Sequence, residues 1–173
     1  VRQYEPFFTD TPRFEFDVRL GVSPVLFYDP TQRLVATLHP NHTWEKGMFD
    51  AWRHEPWDAN DTALVTDPRT DVHVGALFTR LPGADCLPTW HALRMDPAYA
   101  LEATQTWPDT RTRDSEKSAA EKTSIHAATP SVAHADPLGR KFLTVAHNKH
   151  KYTNTLPADP PVEEFHRTRI AFD

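Results

Sequence analysis

Apolar and charged residues alternate strictly through Phe14-Glu15-Phe16-Asp17-Val18-Arg19-Leu20, the period of a β-strand with one wet face, and Gly21 ends the run. Val25-Leu26-Phe27-Tyr28 is a short continuous apolar run and predicts a strand covered on both sides. Arg33 to Leu38 predicts its hairpin partner. His39-Pro40-Asn41-His42 breaks the pattern, Trp44 to Phe49 predicts another strand, and Trp57 with Leu64-Val65 closes the region. The character then changes. Asp71 to Phe78 reads as the start of a helix despite its β-branched residues, and Pro88 to Arg94 as a helical segment. Asp96 to Ala103 reads as a helix with Asp96 as N-cap and Pro97 at the first position. Arg111 to Ala128 is the longest helical candidate, with a thin apolar face of Ala119, Ala120, Ile125 and Ala128 and Pro130 beyond it. A helix this polar lies on a surface or acts as a spacer. After Pro130 the β pattern returns. Ser131-Val132-Ala133 precedes a turn and Lys141 to Ala146 follows it. Asn154 to Pro161 is a proline-rich loop, and Glu163 to Phe172 is a long final strand whose edge lacks a mate.

One phrase recurs across these β segments, an aspartate-led turn between strand-forming runs. It reads Tyr28-Asp29-Pro30-Thr31-Gln32-Arg33, then Phe49-Asp50-Ala51-Trp52-Arg53-His54, then Ala135-Asp136-Pro137-Leu138-Gly139-Arg140, and Phe172-Asp173 matches its first two residues. The third copy is the most legible. Asp136 suits the first position of a type I turn, Pro137 presets φ at the second, and Gly139 takes the left-handed conformation that closes a bulged hairpin. Gln32 and Arg53 stand where that glycine would sit in the other two copies. Recurring units that cannot bury their own apolar faces stack on neighbours. The copies are few and unevenly spaced, so the chain looks like a piece of a longer array. The expected fold class is α+β: antiparallel hairpins at about 12–58 and 129–172, with segments 1–66 and 129–173 as β structure and 67–128 as a largely helical insert.

Composition narrows the function classes. The 173 residues are 39% hydrophobic, with sixteen prolines against five glycines, which favours short elements joined by stiff connections. A formal charge of −5 and no basic cluster with interleaved aromatics argue against a nucleic-acid partner. No apolar run approaches the ~20 residues of a membrane span, and no signal-peptide pattern opens the chain. Cys86 is the lone cysteine and reads as a small buried hydrophobe.

Ten histidines are the main chemical temptation. His39 with His42, and His147 with His150, are spaced three apart and would serve zinc if a third ligand converged. The simpler reading makes the first pair turn residues and the second pair part of a solvated loop. Asp29, Asp50 and Asp136 already have structural positions in the turns. No nucleophile elbow, phosphate loop or dinucleotide fingerprint occurs, so no catalytic residue and no cofactor is expected. Trp44, Trp52, Trp57, Trp90 and Trp107 fit a core or sheet seam, with sugar stacking as the alternative.

The repeated phrase resembles the Rhs/YD-repeat family, and the chain is most similar to the B component of bacterial insecticidal toxin complexes. The likeness is carried by Phe27-Tyr28-Asp29-Pro30, by Arg33 through Lys46, by Leu81-Pro82 with Leu87-Pro88-Thr89-Trp90, and by Thr129-Pro130 through Ala146. The resemblance implies a segment of a β-sheet shell that encloses a toxic polypeptide and is secreted as part of a toxin complex. Its implied partners are the remainder of the same shell polypeptide and the other subunits, with no membrane contact by this segment. Exposed strand edges would also allow self-association. The family's Asp-Pro-x-Gly-Leu autoproteolysis phrase is absent, since Asp136-Pro137-Leu138-Gly139 is followed by Arg140.

Overall fold

A computed structural model describes residues 1–2, 23–152 and 159–172. Among these residues seven strands follow one another in a single antiparallel sheet whose spatial order is the chain order. They are β1 (Val25–Tyr28), β2 (Leu34–Leu38), β3 (Trp44–Phe49), β4 (Arg53–Trp57), β5 (Val132–Ala135), β6 (Lys141–His150) and β7 (Val162–Arg169). Four helices fall between β4 and β5: α1 (Gly75–Phe78), α2 (Trp90–Met95), α3 (Ala100–Thr106) and α4 (Thr110–Ile125). The architecture is α+β. The expected strand at Phe14–Leu20 lies outside the described residues, as does most of the loop at Asn154–Pro161.

Alternation along the strands decides what is buried. Register sets Val25 opposite Leu38, and Leu38 opposite Trp44, so all three share one face. Ala36 sits on that face too, and Val74, Phe78 and Cys86 of the insert close over it to make the core. The Phe78 ring lies 4.9 Å from Phe27 and 5.4 Å from Trp44, edge-on to the indole. Cys86 is fully buried in this cluster. Burial pushes its thiol pKa up, which suits a packing role.

The helices begin where short polar side chains can cap them. Thr89 accepts from Ala92 N–H at the start of α2, and Asp109 accepts from Thr112 N–H at 2.8 Å at the start of α4. Asp96 caps a 3₁₀ turn at Pro97–Tyr99 that runs on into α3, so the single helix expected from Asp96 is two joined pieces. α4 ends before Pro130. Ala128 turns left-handed at φ 56°, its N–H donates to the Asp61 carbonyl, and Thr129 N–H donates to the Asp61 carboxylate at 2.8 Å. Within α4 only Ala120 is buried, in keeping with the surface role expected of so polar a helix.

Several local expectations need correction. Val25 is buried but Tyr28 is exposed, so β1 is not covered on both sides along its length. Leu64 and Val65 lie in a turn segment after β4 and not in a strand. His147 and His150 are part of β6, which runs four residues past Ala146 because β7 pairs with it without interruption from Leu143↔Arg169 to His150↔Val162.

Candidate functional site

The recurring turns are built as one backbone device. In the first, Asp29 N–H donates to the Arg33 carbonyl and Gln32 N–H donates to the Asp29 carbonyl, both at 3.0 Å. The third repeats this at 2.9 Å, with Asp136 and Gly139 donating to Arg140 and Asp136. The fourth residue is left-handed in each, Gln32 at φ 64° and Gly139 at φ 75°. His39-Pro40-Asn41-His42-Thr43 makes the same turn without an aspartate. His39 N–H donates to Thr43, His42 N–H to His39, and His42 has φ 62°. That copy was hidden because its first residue is histidine, although Pro40 at the second position signalled it. The Asp50 turn differs. Asp50 N–H reaches the Arg53 carbonyl, one residue sooner, so Arg53 corresponds to Arg33 and Arg140 and not to Gln32 and Gly139.

Side chains lock the aspartate turns. Asp29 Oδ1 accepts from Thr31 N–H, the Thr31 hydroxyl and Arg33 N–H, and Oδ2 accepts from Arg33 Nε at 2.7 Å. Asp136 Oδ1 accepts from Leu138 and Arg140 N–H, and Oδ2 from Arg140 Nε at 2.8 Å. The Arg33 N–H bond, helped by Thr31 and the guanidinium, lowers the Asp29 pKa to about 2. The Arg140 guanidinium and N–H hold Asp136 below the ordinary carboxylate range. Each arginine then lies over an aromatic ring one hairpin on: Arg33 over Phe49 at 5.0 Å, and Arg140 over Phe172 at 4.4 Å. Those two phenylalanines immediately precede Asp50 and Asp173. Thus the arginine leaving one turn rests on the aromatic that leads into the next aspartate.

Two predictions arise here. Gly139 has open space around a Cβ, so its requirement is conformational. Gly139→Val is expected to cost about 1 kcal/mol or more through a left-handed β-branched residue, whereas Gln32→Gly should stabilise by a similar amount, about 1 kcal/mol. Urea unfolding checks both, and no change in midpoint for either would mean the left-handed residue carries no strain. The second concerns acid. A carboxyl depressed in the folded state adds stability that is complete above its unfolded pKa near 3.8 and is lost as pH falls through about 2. Asp29→Asn should therefore flatten the acid limb of the stability curve between those values while leaving its shape above pH 5 unchanged.

The histidines do not converge. His39 Nε2 lies 3.2 Å from Glu45, and His42 Nδ1 is 2.9 Å from the Pro88 carbonyl, tying the turn to the insert. His147 stacks on Phe165 at 4.3 Å and reaches Glu163 at 3.1 Å, while His150 stands edge-on to Tyr152. Among the described residues no group of three or more potential ligands is arranged to hold a metal.

The tryptophans are mostly engaged. Trp44 is buried, the Trp57 ring receives the Lys46 ammonium at 4.4 Å, and the Arg94 guanidinium lies over both Trp90 and Trp107, at 3.9 and 4.7 Å, and also pairs with Glu116. Trp52 is exposed. An open groove of about 920 Å³ between the first turns and α1 is bordered by Asp29, Arg33, Asp50, Arg53 and Arg80. Asp29 and Asp50 accept hydrogen bonds in their own turns, and Arg33 and Arg53 pair with Asp29 and Glu55, which leaves those acids committed to structure.

The sequence reading missed the Lys46–Asp71 pair. Lys46 Nζ lies 2.6 Å from Asp71 Oδ2 with both side chains nearly inaccessible. Burial raises the Asp71 pKa, but Lys46 and the N–H groups of His73 and Val74 outweigh it and hold the carboxyl below its usual range. The only hint was a lysine at an inward-facing position of β3.

No family model matches the chain, and no curated protein matches it. Among solved structures it is similar to the crystal structure of TcdB2-TccC3, with a TM-score of 0.44 and 16% identity over 88% of this chain. It is also similar to the Tc holotoxin pore of Photorhabdus luminescens, with a TM-score of 0.45 and 14% identity over 88% of this chain. The chain spans 4% of the length of each of those structures' chains.

Proposed function

We propose that this chain is a structural segment of a β-sheet wall, without catalysis of its own, in an Rhs/YD-repeat shell that encloses a toxic polypeptide. The observation that carries the reading is the repeated clasp of aspartate turn, arginine and following aromatic, set on a meander in which every strand pairs with its neighbours in sequence. Such a sheet grows by repetition, because each hairpin offers the next one a paired edge and an arginine to lie over its ring. The tryptophan and arginine contacts of the insert are internal, which suits a wall better than a sugar-binding surface. The natural neighbours would be further repeats of the same polypeptide and the other subunits of a secreted insecticidal toxin complex.

Reading the parent gene on both sides of these residues tests the proposal. Further aspartate-led repeats are expected on either side, and a reading frame of ordinary small-domain length without them would overturn it. Stoichiometric zinc in purified protein, lost on His39→Ala or His147→Ala, would favour a histidine-coordinated metal-binding protein instead.

A further inference from the structure

β4 and β5 pair at only two positions, Arg53↔His134 and His54↔Ala133. The Trp52 carbonyl accepts from Ala135 N–H at 2.9 Å, so by the alternation of an antiparallel ladder His54 and Pro56 also face β5. Pro56 has no N–H to give, and the ladder ends there. Beyond it the strands part around a cleft of about 600 Å³, bordered by Pro56 and Asp58 on one side and by Thr129 and Ser131 on the other. That volume falls within the roughly 300–1,000 Å³ of small-molecule sites.

The cleft continues over the sheet face turned away from the insert. Thr37 opposite Glu45, and Phe49 opposite His54, lie on that face, because Ala36, Leu38 and Trp44 point the other way. Thr37 is only 7% exposed and lines the cleft, yet its hydroxyl has no hydrogen-bond partner. A buried hydroxyl left unpaired carries a free-energy cost that a bound partner would offset. The Phe49 ring lies against Gly47, 2.9 Å from where a Cβ would stand, and stacks on His54 at 4.5 Å and 10°. With one face of the imidazole covered, a flat ligand has the other. Burial and the Lys141 ammonium lower the His54 pKa and favour the neutral ring. Asn60 and Ser131 line the same cleft, and neither side chain is hydrogen-bonded within the protein. The charged groups are committed. Glu45 lies beside His39, and the Asp61 and Asp58 carboxylates accept N–H groups of their own loop and of Thr129. Lys46 is the one lysine or arginine among the described lining residues, and it pairs with Asp71 on the opposite face. A phosphate would meet carboxylates here and no free cation.

We infer that this cleft binds an uncharged planar heterocycle of the nucleobase or nucleoside class, stacked on His54 with its polar edge on Thr37, Asn60 and Ser131. Two rings stacked at 10° extend to a third flat ring, and amide and hydroxyl side chains both donate and accept, as the edge of a base requires. The site calls on none of the tryptophan rings. It does not depend on what flanks the chain, so the parent gene tests the wall and a titration tests the cleft.

Adenosine, guanosine, cytidine and uridine are each titrated into the full chain and followed by two-dimensional NMR. At least one should shift the Asn60 side-chain amide and the Thr37 and His54 signals saturably. Its 5′-monophosphate should bind more weakly, through repulsion by Asp58 and Asp61. Thr37→Val should lower the affinity about fivefold or more and also raise the urea midpoint, because a methyl suits the buried position when no ligand is present. Asn60→Ala, at the exposed rim, should lower the affinity by a similar factor with the midpoint unchanged. Trp52→Ala should bind like the parent, and circular dichroism confirms that each variant keeps its fold. No saturable shift with any of the four nucleosides, glucose binding in the cleft in their place, or a monophosphate that binds as tightly would each overturn the proposal. So would Thr37→Val or Asn60→Ala with the parent's affinity, or a loss of binding in Trp52→Ala.

Discussion

Asp71→Ala is expected to cost about 3 kcal/mol or more of folding stability, among the largest effects of any single change in this chain. The substitution leaves the Lys46 ammonium buried beside Trp57 with no counter-charge, and removal of one partner of a buried pair typically costs about 3–5 kcal/mol. It also takes away the acceptor for the His73 and Val74 N–H groups at 2.9 and 3.1 Å, which order the entry to α1. Adding Lys46→Met should recover part of the loss, since the double variant no longer buries an unpaired charge. Urea denaturation of the three variants measures this. A cost below about 1 kcal/mol for Asp71→Ala would show that water reaches the lysine. The pH dependence has a fixed sign. Asp71 is held below its usual range, so the pair's contribution is complete above the unfolded carboxylate pKa and falls away as pH drops through the folded value.

Phe78→Ala should cost about 4 kcal/mol. The ring is fully buried and touches both Phe27 of β1 and Trp44 of β3, so its loss opens a cavity between sheet and insert that neither wall can close. Phe78→Leu keeps much of the volume and should cost less than half as much. Thermal unfolding of both variants gives the ranking, and equal midpoints would mean that the insert repacks freely against the sheet. The two substitutions act on the same seam from opposite kinds of force. One removes a charge pair at its rim and the other an aromatic at its centre.

Much of the sheet was legible because its signals are local. An aspartate, a proline and a residue able to turn left-handed within five positions specify a hairpin wherever they fall, and this fixed two of the turns closely. The Asp50 turn was misaligned by one residue because it carries neither proline nor glycine to mark its corner. The turn at His39 was read as a turn, but its kinship with the aspartate-led copies was not, since its backbone bonds do not need the aspartate that made the others visible. Helix starts at Thr89 and Asp109 depend on one side chain and one nearby N–H, so they too lie within reach of sequence.

What the sequence determined by itself is the succession of hairpins and helices and the aspartate–arginine chemistry of the turns, all set by contacts within a few residues. The tertiary structure alone decided the rest. β6 extends through His147 and His150, which read as loop, because β7 supplies partners for backbone groups that would otherwise seek water. Lys46 is buried because Asp71 and Trp57, from a later loop and the next strand, converge on it. Phe49 and Phe172 become seats for arginines only after the intervening strands fold back. The physical reason is common to all three: burial and charge compensation depend on which distant surfaces meet, and a linear pattern carries no distances between elements far apart in the chain.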